Sequence, residues 1–250
     1  MMRATRSGIF LSALIWAPIL VLAAACSKPA TTVQPGTVQP GGTMNILGPV
    51  PAMVPNPLPD DWITEGNPGP GQLTVVERDG VPALKVVNGG RSFVAAKPAW
   101  ASLLATPYLS WAWNMEPQNR GTHPVRLAIG FDGGNPDNRA WRSGFGKPGA
   151  RLPLHDRAIV IVWAESALQL GTITKPKPTG RGQAAARYTA RGGRENAGSW
   201  VFETVDLSDI YRRAWPGDDA GNVRITFIGI AAAAGKTPSA AYISGLRLSR

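Results

Sequence analysis

The chain has little cysteine, little histidine and little charge, and each shortage excludes a class of protein. One cysteine, Cys26, among 250 residues excludes a disulfide-stabilised scaffold and a metal site built from cysteines alone. Two histidines, His123 and His155, are too few for a histidine-rich metal centre. Charged residues make up 17% of the chain, below the usual ~25%, which excludes a coiled coil or a long helical bundle.

The common motifs of nucleotide binding and nucleophilic catalysis are also missing. The sequence has no Walker phosphate loop, no Rossmann pattern of a glycine-rich turn between a strand and a helix, and no Gly-x-Ser-x-Gly elbow. It has instead 29 glycines and 23 prolines, beside 44% hydrophobic residues. This composition excludes a wholly disordered chain and predicts one turn-rich globular domain with appendages.

The first 25 residues are typical of a secretory signal peptide. Arg3 and Arg6 form a basic start, an apolar run follows, and small residues precede Cys26. A cysteine at this place predicts lipidation of Cys26 and a membrane-anchored lipoprotein of the cell envelope, at the outer membrane or facing the periplasm. The same small residues also suit ordinary signal peptidase, so a secreted or soluble periplasmic protein is the alternative.

Residues 26–57 are predicted to form a linker behind the lipidated cysteine. The segment is rich in proline and glycine, and such a composition favours extended chain over a packed core. We therefore expect the folded domain to span residues 58–250.

The folded part is predicted to be all-β, an antiparallel two-sheet β-sandwich of jelly-roll type with one or two short helices. Period-two patterns are clearest in Pro107–Met115, where Trp111 and Trp113 share an apolar face, and in Val125–Asp132. Helices are expected at Ala99–Leu104 and Ser208–Trp215, the second with Ser208 as N-cap. The strand candidates are Gln72–Arg78, Ala83–Val87, Ser92–Ala96, Pro107–Met115, Val125–Asp132, Arg157–Ala164, Ala186–Ala190, Trp200–Leu207, Val223–Ala231 and Ala241–Leu248.

Several stretches of the folded part resemble a known bacterial envelope family. They include "PLPDDWITEG", "PYLSWAWNMEP", "VRLAIGFDGG", "GSWVFETVDLSDIYRRAWPGD" and "AAYISGLRL". The family is known only as domain of unknown function number three thousand and forty-seven, and the resemblance covers the chain from about Leu58 to Leu248. The last strands also resemble galactose-binding-like jelly rolls, which include many carbohydrate-binding modules, and this likeness implies a fold only.

Positive charge is concentrated in two glycine-rich segments between strands. Residues 139–157 hold five basic residues and one acid, and residues 175–195 hold six basic residues and one acid. Together they carry a net +9, more than the +8 of the chain without its predicted signal peptide. We predict an anion-binding rim, or else two merely solvated loops. The predicted ligand-binding residues of the rim are Arg139, Trp141, Arg142, Arg187, Tyr188 and Arg191.

A turn rich in oxygen ligands follows the Val125–Asp132 strand. Asp132, Asn135 and Asp137 suit a structural Ca²⁺, but Asp, Gly and Asn are also ordinary hairpin-turn residues, and no other cofactor is expected. No catalytic residues are predicted, because no spacing selects a pair among the carboxylates Glu116, Asp132, Glu165, Glu203 and Asp206.

The function predicted from the sequence is non-catalytic binding of a glycan or an anionic surface polymer in the cell envelope. The membrane is the other expected partner, through the N-terminal lipid, and nucleic acid is not expected. One alternative is a glycan-cleaving enzyme, a glycosidase or lyase, on a jelly-roll scaffold. Another is a structural envelope protein without a small ligand.

Overall fold

The computed structural model describes residues 34–47, 61–118, 120–134, 152–175, 178–179, 182–183 and 185–250. The predicted signal peptide and Cys26 lie outside these residues, and both stay predictions. Within the described residues no helix has the length and apolar character needed to cross a membrane.

The described chain consists mainly of β-strands, with one α-helix and two short 3-10 helices at Ala167–Gln169 and Ala220–Asn222. The α-helix, α1, spans Leu207–Ala214. The strands are β1 Thr43–Asn45, β2 Ile63–Glu65, β3 Leu73–Arg78, β4 Val81–Val87, β5 Phe93–Ser102, β6 Tyr108–Met115, β7 Val125–Asp132, β8 Arg157–Ala164, β9 Ile173–Thr174, β10 Pro178–Thr179, β11 Gly182–Gln183, β12 Ala186–Gly192, β13 Trp200–Asp206, β14 Arg224–Ala232 and β15 Ala240–Ser249.

Thirteen of the strands form two sheets that pack face to face, and β10 and β11 form a separate two-stranded ladder. The first sheet has the order β13-β6-β15-β4-β3, with β1 added to β15, and the second has the order β2-β5-β14-β7-β8-β12-β9. All pairs between these strands are antiparallel except β8 with β12. The predicted jelly-roll-type sandwich is therefore confirmed, with one parallel pair that the sequence did not indicate.

The core lies between the sheets and follows from the alternation of side chains along the strands. Leu109, Trp111, Trp113 and Met115 of β6 all point into it and are fully buried, as predicted. Trp111 and Trp113 pack edge to face with ring centroids 5.2 Å apart, and Trp113 packs against Trp163 at 5.6 Å. This contact between aromatic rings from both sheets holds the sandwich closed.

Helix α1 follows β13 directly and was predicted within one residue. Its N-cap is Asp206, whose carboxylate accepts hydrogen bonds from the backbone N–H groups of Ser208 and Asp209 at 2.8 and 3.1 Å. The prediction of Ser208 as the cap was therefore wrong. The predicted helix at Ala99–Leu104 is wrong as well, because β5 stays extended to Ser102 and pairs with β14 along its length.

The folded domain begins well before Leu58, so the predicted extent of the linker needs correction. Thr43–Asn45 form β1 and pair with the last strand, from Ser249 to Arg247. Met44, Ile46 and Leu47 are buried in the main core. The prolines and glycines around these few apolar residues made the segment look like a spacer.

Candidate functional site

The outer face of the first sheet, turned away from the core, carries exposed aromatic side chains. We call it the open face. Phe202 of β13 is 63% exposed and Tyr108 of β6 is 41% exposed. Trp200, two residues before Phe202, lies on the same face and is half-buried. Four residues of strand register, about 13 Å at ~3.3 Å each, separate the positions of Phe202 and Tyr108 along the sheet.

Hydrogen-bonding side chains lie between these aromatic residues. Thr204 of β13 is directly opposite Ser110 of β6, and their hydroxyl oxygens are 2.9 Å apart. Arg247 of β15 is opposite Ser110 on its other side and is exposed. A bulge after Ser244 keeps Arg247 on this face, and Gly245 makes the bulge with a φ of 62° that favours glycine. The open face thus combines aromatic rings with hydroxyl and guanidinium groups.

One end of the open face is covered by the tip of the β3–β4 hairpin. The indole N–H of Trp200 donates to the carbonyl of Arg78 at 3.0 Å. The guanidinium of Arg78 lies 5.0 Å from the ring centroid of Tyr242. The tip is a two-residue Asp-Gly turn with positive φ at both positions, which suits a tight hairpin. These contacts fix Trp200 at the border of the exposed area.

A small cleft opens at the end of the sandwich where β6, β8 and β12 finish. Its cavity volume of about 20 Å³ leaves room for about one water molecule rather than for a sugar ring. Its polar lining residues are Glu116, Gln118, Arg120, His123, Glu165 and Arg194.

The cleft brings together two carboxylates that the sequence offered for catalysis, Glu116 and Glu165. Glu116 already accepts hydrogen bonds from the Tyr242 hydroxyl at 2.9 Å and from the Ala240 N–H at 3.2 Å. Glu165 is exposed to water. A glycosidase needs an acid in a water-poor site on one side of a sugar and a second carboxylate on the other. The cleft offers neither the enclosed acid nor the space.

Two other candidate carboxylates have structural partners. Glu203 pairs with the guanidinium of Arg191, and its side chain is only 10% exposed. Asp206 caps α1. Both groups therefore stabilise the fold.

His123 contacts Ser239 at the cleft, but the direction of their hydrogen bond does not suit a serine nucleophile. The Val125 N–H donates to Nδ1 of His123 at 3.2 Å, so the ring proton resides on Nε2. Nε2 in turn donates to the Ser239 hydroxyl oxygen at 3.0 Å. Because the ring donates to the serine, it cannot accept the serine proton as a general base does. The pair links the loop before β7 to the start of β15.

We expect His123 to make the domain sensitive to acid. Burial lowers the pKa of His123 from 6.5 to about 4. The unfolded chain then binds more protons between about pH 6.5 and 4, so stability falls as pH falls through this window, by about 3 kcal/mol in all. Urea unfolding at a series of pH values measures it. His123→Asn should flatten the pH dependence in this window, and an unchanged slope would contradict the assignment.

The residues predicted for an anion-binding rim are divided by the structure. Arg139, Trp141 and Arg142 lie outside the described residues. Arg187 is exposed on the outer face of the second sheet, whereas Tyr188 packs against the core.

Arg191, which is also predicted as an anion contact, already has a carboxylate partner in the fold. It stands four residues from Arg187, about 13 Å along β12, and is already paired with Glu203. An incoming anion would have to displace that carboxylate.

The connections at residues 133–156 and 175–185, which include most of the first basic segment and the start of the second, nevertheless start and finish at the same end of the second sheet. One leaves β7 at Asp132 and enters β8 at Arg157. The other leaves β9 at Thr174, opposite Arg187, and enters β12 at Ala186. Since β12 runs parallel to β8 and Ala186 pairs with Ile159, both strands start at this end. We call it the basic end.

Arg126 is a cation that sequence reasoning missed. It lies on the outer face of the second sheet, and burial, together with the nearby charge of Arg187, lowers its pKa. Within the described part of the chain neither guanidinium forms an ion pair with a carboxylate. Two neighbouring cations without a bound acid favour a negatively charged group between them.

The predicted Ca²⁺ turn is only partly described. Asp132 is the last residue of β7, opposite Arg224 in the ladder, and Asn135 and Asp137 lie outside the described residues. In the ranges that the structure covers, no three acidic, histidine or cysteine side chains come together as metal ligands.

No family model matches the chain, and no curated protein matches it. The resemblance to domain of unknown function number three thousand and forty-seven therefore stays a prediction.

Solved structures of distantly similar shape are jelly-roll domains. The family 11 carbohydrate-binding module of a Clostridium thermocellum cellulosomal cellulase is 12% identical, with a TM-score of 0.36 over 76% of this chain and 87% of that one. A family 30 module from the same organism is 11% identical, with a TM-score of 0.36 over 74% and 86%. A family 12 xyloglucanase from Bacillus licheniformis is 9% identical, with a TM-score of 0.38 over 75% and 99%. These likenesses are too distant to transfer a function to the chain.

Proposed function

We propose that this protein is an exported, lipid-anchored envelope protein that binds a glycan on its open face without cleaving it. The observation that carries the proposal is the exposure of Phe202 and Tyr108 on adjacent paired strands. A flat aromatic ring offers apolar surface to the apolar face of a sugar ring. The exposed hydroxyl of Thr204 and the guanidinium of Arg247 supply hydrogen bonds between the rings.

The shape of this surface favours a short oligosaccharide over a monosaccharide. Phe202 and Tyr108 are about 13 Å apart along the strands, which exceeds the width of one sugar ring. The strands hold both side chains in place, so little conformational entropy is lost when a ligand binds. The cleft where β6, β8 and β12 finish is too small to enclose a sugar, and this favours binding at the surface over cleavage.

A glycan array probed with the Cys26→Ser chain, which cannot be acylated, tests the proposal. We expect binding to an oligosaccharide, and Phe202→Ala and Tyr108→Ala should each weaken it by about 1–2 kcal/mol through lost apolar contact. Leu168→Ala is the matched control, because Leu168 is 95% exposed and is not part of the open face. If the chain binds no glycan, or if Phe202→Ala binds as well as the parent, the open face is not a glycan site.

The ligand is further proposed to carry acidic groups, as in an anionic surface polymer. Support comes from Arg247, whose guanidinium is exposed on the open face beside Ser110. In the same array, a higher salt concentration or Arg247→Glu should weaken the binding of acidic glycans much more than the binding of neutral ones. Shortening of the bound glycan over time, abolished by Glu165→Gln, would point to an enzyme instead.

The lipid anchor is tested by mass spectrometry of the protein purified from bacterial membranes. We expect the mature chain to start at Cys26 with a lipid mass on it, because small residues lead directly to the only cysteine. The Cys26→Ser chain should appear in the soluble fraction. A free Cys26 thiol in the membrane-derived protein would contradict lipid anchoring.

A further inference from the structure

The N-terminal end of the described chain enters the fold directly beside an exposed tryptophan. Gly36 pairs with Ala99 of β5, and its carbonyl accepts a hydrogen bond from the backbone N–H of Trp100 at 3.1 Å. The side chain of Trp100 is 50% exposed, and the guanidinium of Arg224 lies 4.7 Å from the centroid of its ring. The attachment point of the N-terminal segment and this aromatic–cation pair are therefore on the same border of the second sheet.

More apolar and basic surface adjoins this point. Leu104, in the turn that follows β5, is 48% exposed. Arg224 is paired with Ser102, between Trp100 and Leu104 in the sequence, and with Asp132 on its other side. We call Trp100, Leu104 and Arg224 the entry surface. Exposed Trp and Leu next to Arg are the side chains that bind the interface of an anionic bilayer.

The short tether makes this surface the part of the domain nearest to the membrane. Gly36 lies ten positions after Cys26, and a fully extended chain of ten residues reaches about 33–36 Å. A domain of this size has a radius of gyration of roughly 17 Å, so its diameter exceeds the reach of the tether. A lipid on Cys26 therefore holds the border around Gly36 close to the bilayer.

We infer that the entry surface docks on an anionic lipid bilayer and orients the sandwich on the membrane. The inference rests on the proposed lipid anchor for its geometry, while the contact itself is made by Trp100, Leu104 and Arg224. Trp100 enters the interface with its ring, and Arg224 lies at the level of the lipid phosphates. The open face, on the other sheet, stays turned away from the entry surface and accessible to a glycan.

Sedimentation with vesicles tests the docking separately from the anchor. The probe is the otherwise full-length Cys26→Ser chain, mixed with vesicles of equal parts phosphatidylglycerol and phosphatidylcholine or of phosphatidylcholine alone. We expect binding to the anionic vesicles at low salt. Trp100→Ala should weaken it on the order of tenfold, and Arg224→Gln roughly fivefold. Leu168→Ala, at a more exposed apolar site elsewhere, should bind as the parent does.

The outcomes separate docking from the other proposals. Docking is overturned if the chain does not bind anionic vesicles, or if Trp100→Ala and Arg224→Gln bind them as the parent does. This holds even when mass spectrometry finds a lipid on Cys26. If the chain forms a dimer that Trp100→Ala dissociates, membrane docking is overturned, and the entry surface is instead a contact between two copies of the chain. Vesicle binding that depends on Trp100 while Cys26 proves unmodified would keep the surface and reject the anchor. Thermal melting of each variant checks that it remains folded.

Discussion

Trp113→Ala is expected to destabilise the domain by about 3–5 kcal/mol, close to the whole stability of an ordinary domain. The side chain is fully buried, and its ring packs edge to face against Trp111 in the same sheet and Trp163 in the other. Truncation removes both ring contacts and leaves a cavity between two rigid sheets that cannot collapse to fill it. Urea unfolding monitored by circular dichroism measures the loss.

Trp100→Ala is the control for this prediction. It removes the same indole from β5, where the side chain is half exposed, and surface changes usually alter stability by about 0.5 kcal/mol or less. The indole N–H of Trp113 has no hydrogen-bond partner among the described residues, so its loss adds no unpaired polar group. If Trp113→Ala melts like the parent and loses glycan binding instead, the ring belongs to a site and not to the core.

The core strands could be predicted because one side of each is clearly apolar. In β6, large apolar residues alternate with small or polar ones, and the structure buries the apolar set as expected. In β7 the same reasoning places Leu127, Ile129 and Phe131 inside. A period of two fixes which residues share a face, and a strongly asymmetric strand leaves one choice for the buried face.

Strand β13 shows where that reasoning fails and why the open face was missed. One side carries Trp200 and Phe202, the other Val201, Glu203 and Val205, and the aromatic side resembles a core face by composition. The structure turns Glu203 inward and Phe202 outward. The bond from Arg191 makes burial of Glu203 tolerable, and a partner twelve residues away in another sheet leaves no local signal.

The parallel pairing of β8 and β12 was equally hidden. Neighbouring strands in an all-β sequence are usually antiparallel, and the residues of β12 fit either direction. Strand β12 runs parallel to β8 because the short strand β9 comes between them in the chain. Strand β9 pairs antiparallel with Arg187 and Tyr188 on the other edge of β12. Two residues of strand are too few for a sequence pattern. The consequence for function is large, because this pairing makes β8 and β12 start at the same end of the sheet, each after a basic connection.

Asp218→Ala is expected to destabilise the domain by about 3 kcal/mol, because it removes the carboxylate that accepts two hydrogen bonds from a buried cation. The carboxylate accepts hydrogen bonds from Nε and Nη2 of Arg157 at 2.8 and 3.0 Å and from the Tyr211 hydroxyl at 2.8 Å. The Arg157 and Asp218 side chains are only 5% and 6% exposed. Burial alone would lower the pKa of Arg157, but its bond to Asp218 and the charge of that group raise it. Asp156 is also near the guanidinium, which keeps the expected loss at the low end.

A double-mutant cycle with Arg157→Met separates the ion pair from simple loss of packing. Removing both charges eliminates the cost of burying the guanidinium without the Asp218 carboxylate, so the double variant Arg157→Met/Asp218→Ala should lose less stability than the two single variants added together. Methionine keeps much of the apolar stem that the arginine places near the ring of Trp215. Strictly additive losses would mean that Asp218 acts through Tyr211 and the loop before the Ala220–Asn222 helix, and that the pair with Arg157 contributes nothing. A coupling above about 1 kcal/mol would show that this pair fixes the basic end of the sandwich, where β7 and β8 meet helix α1.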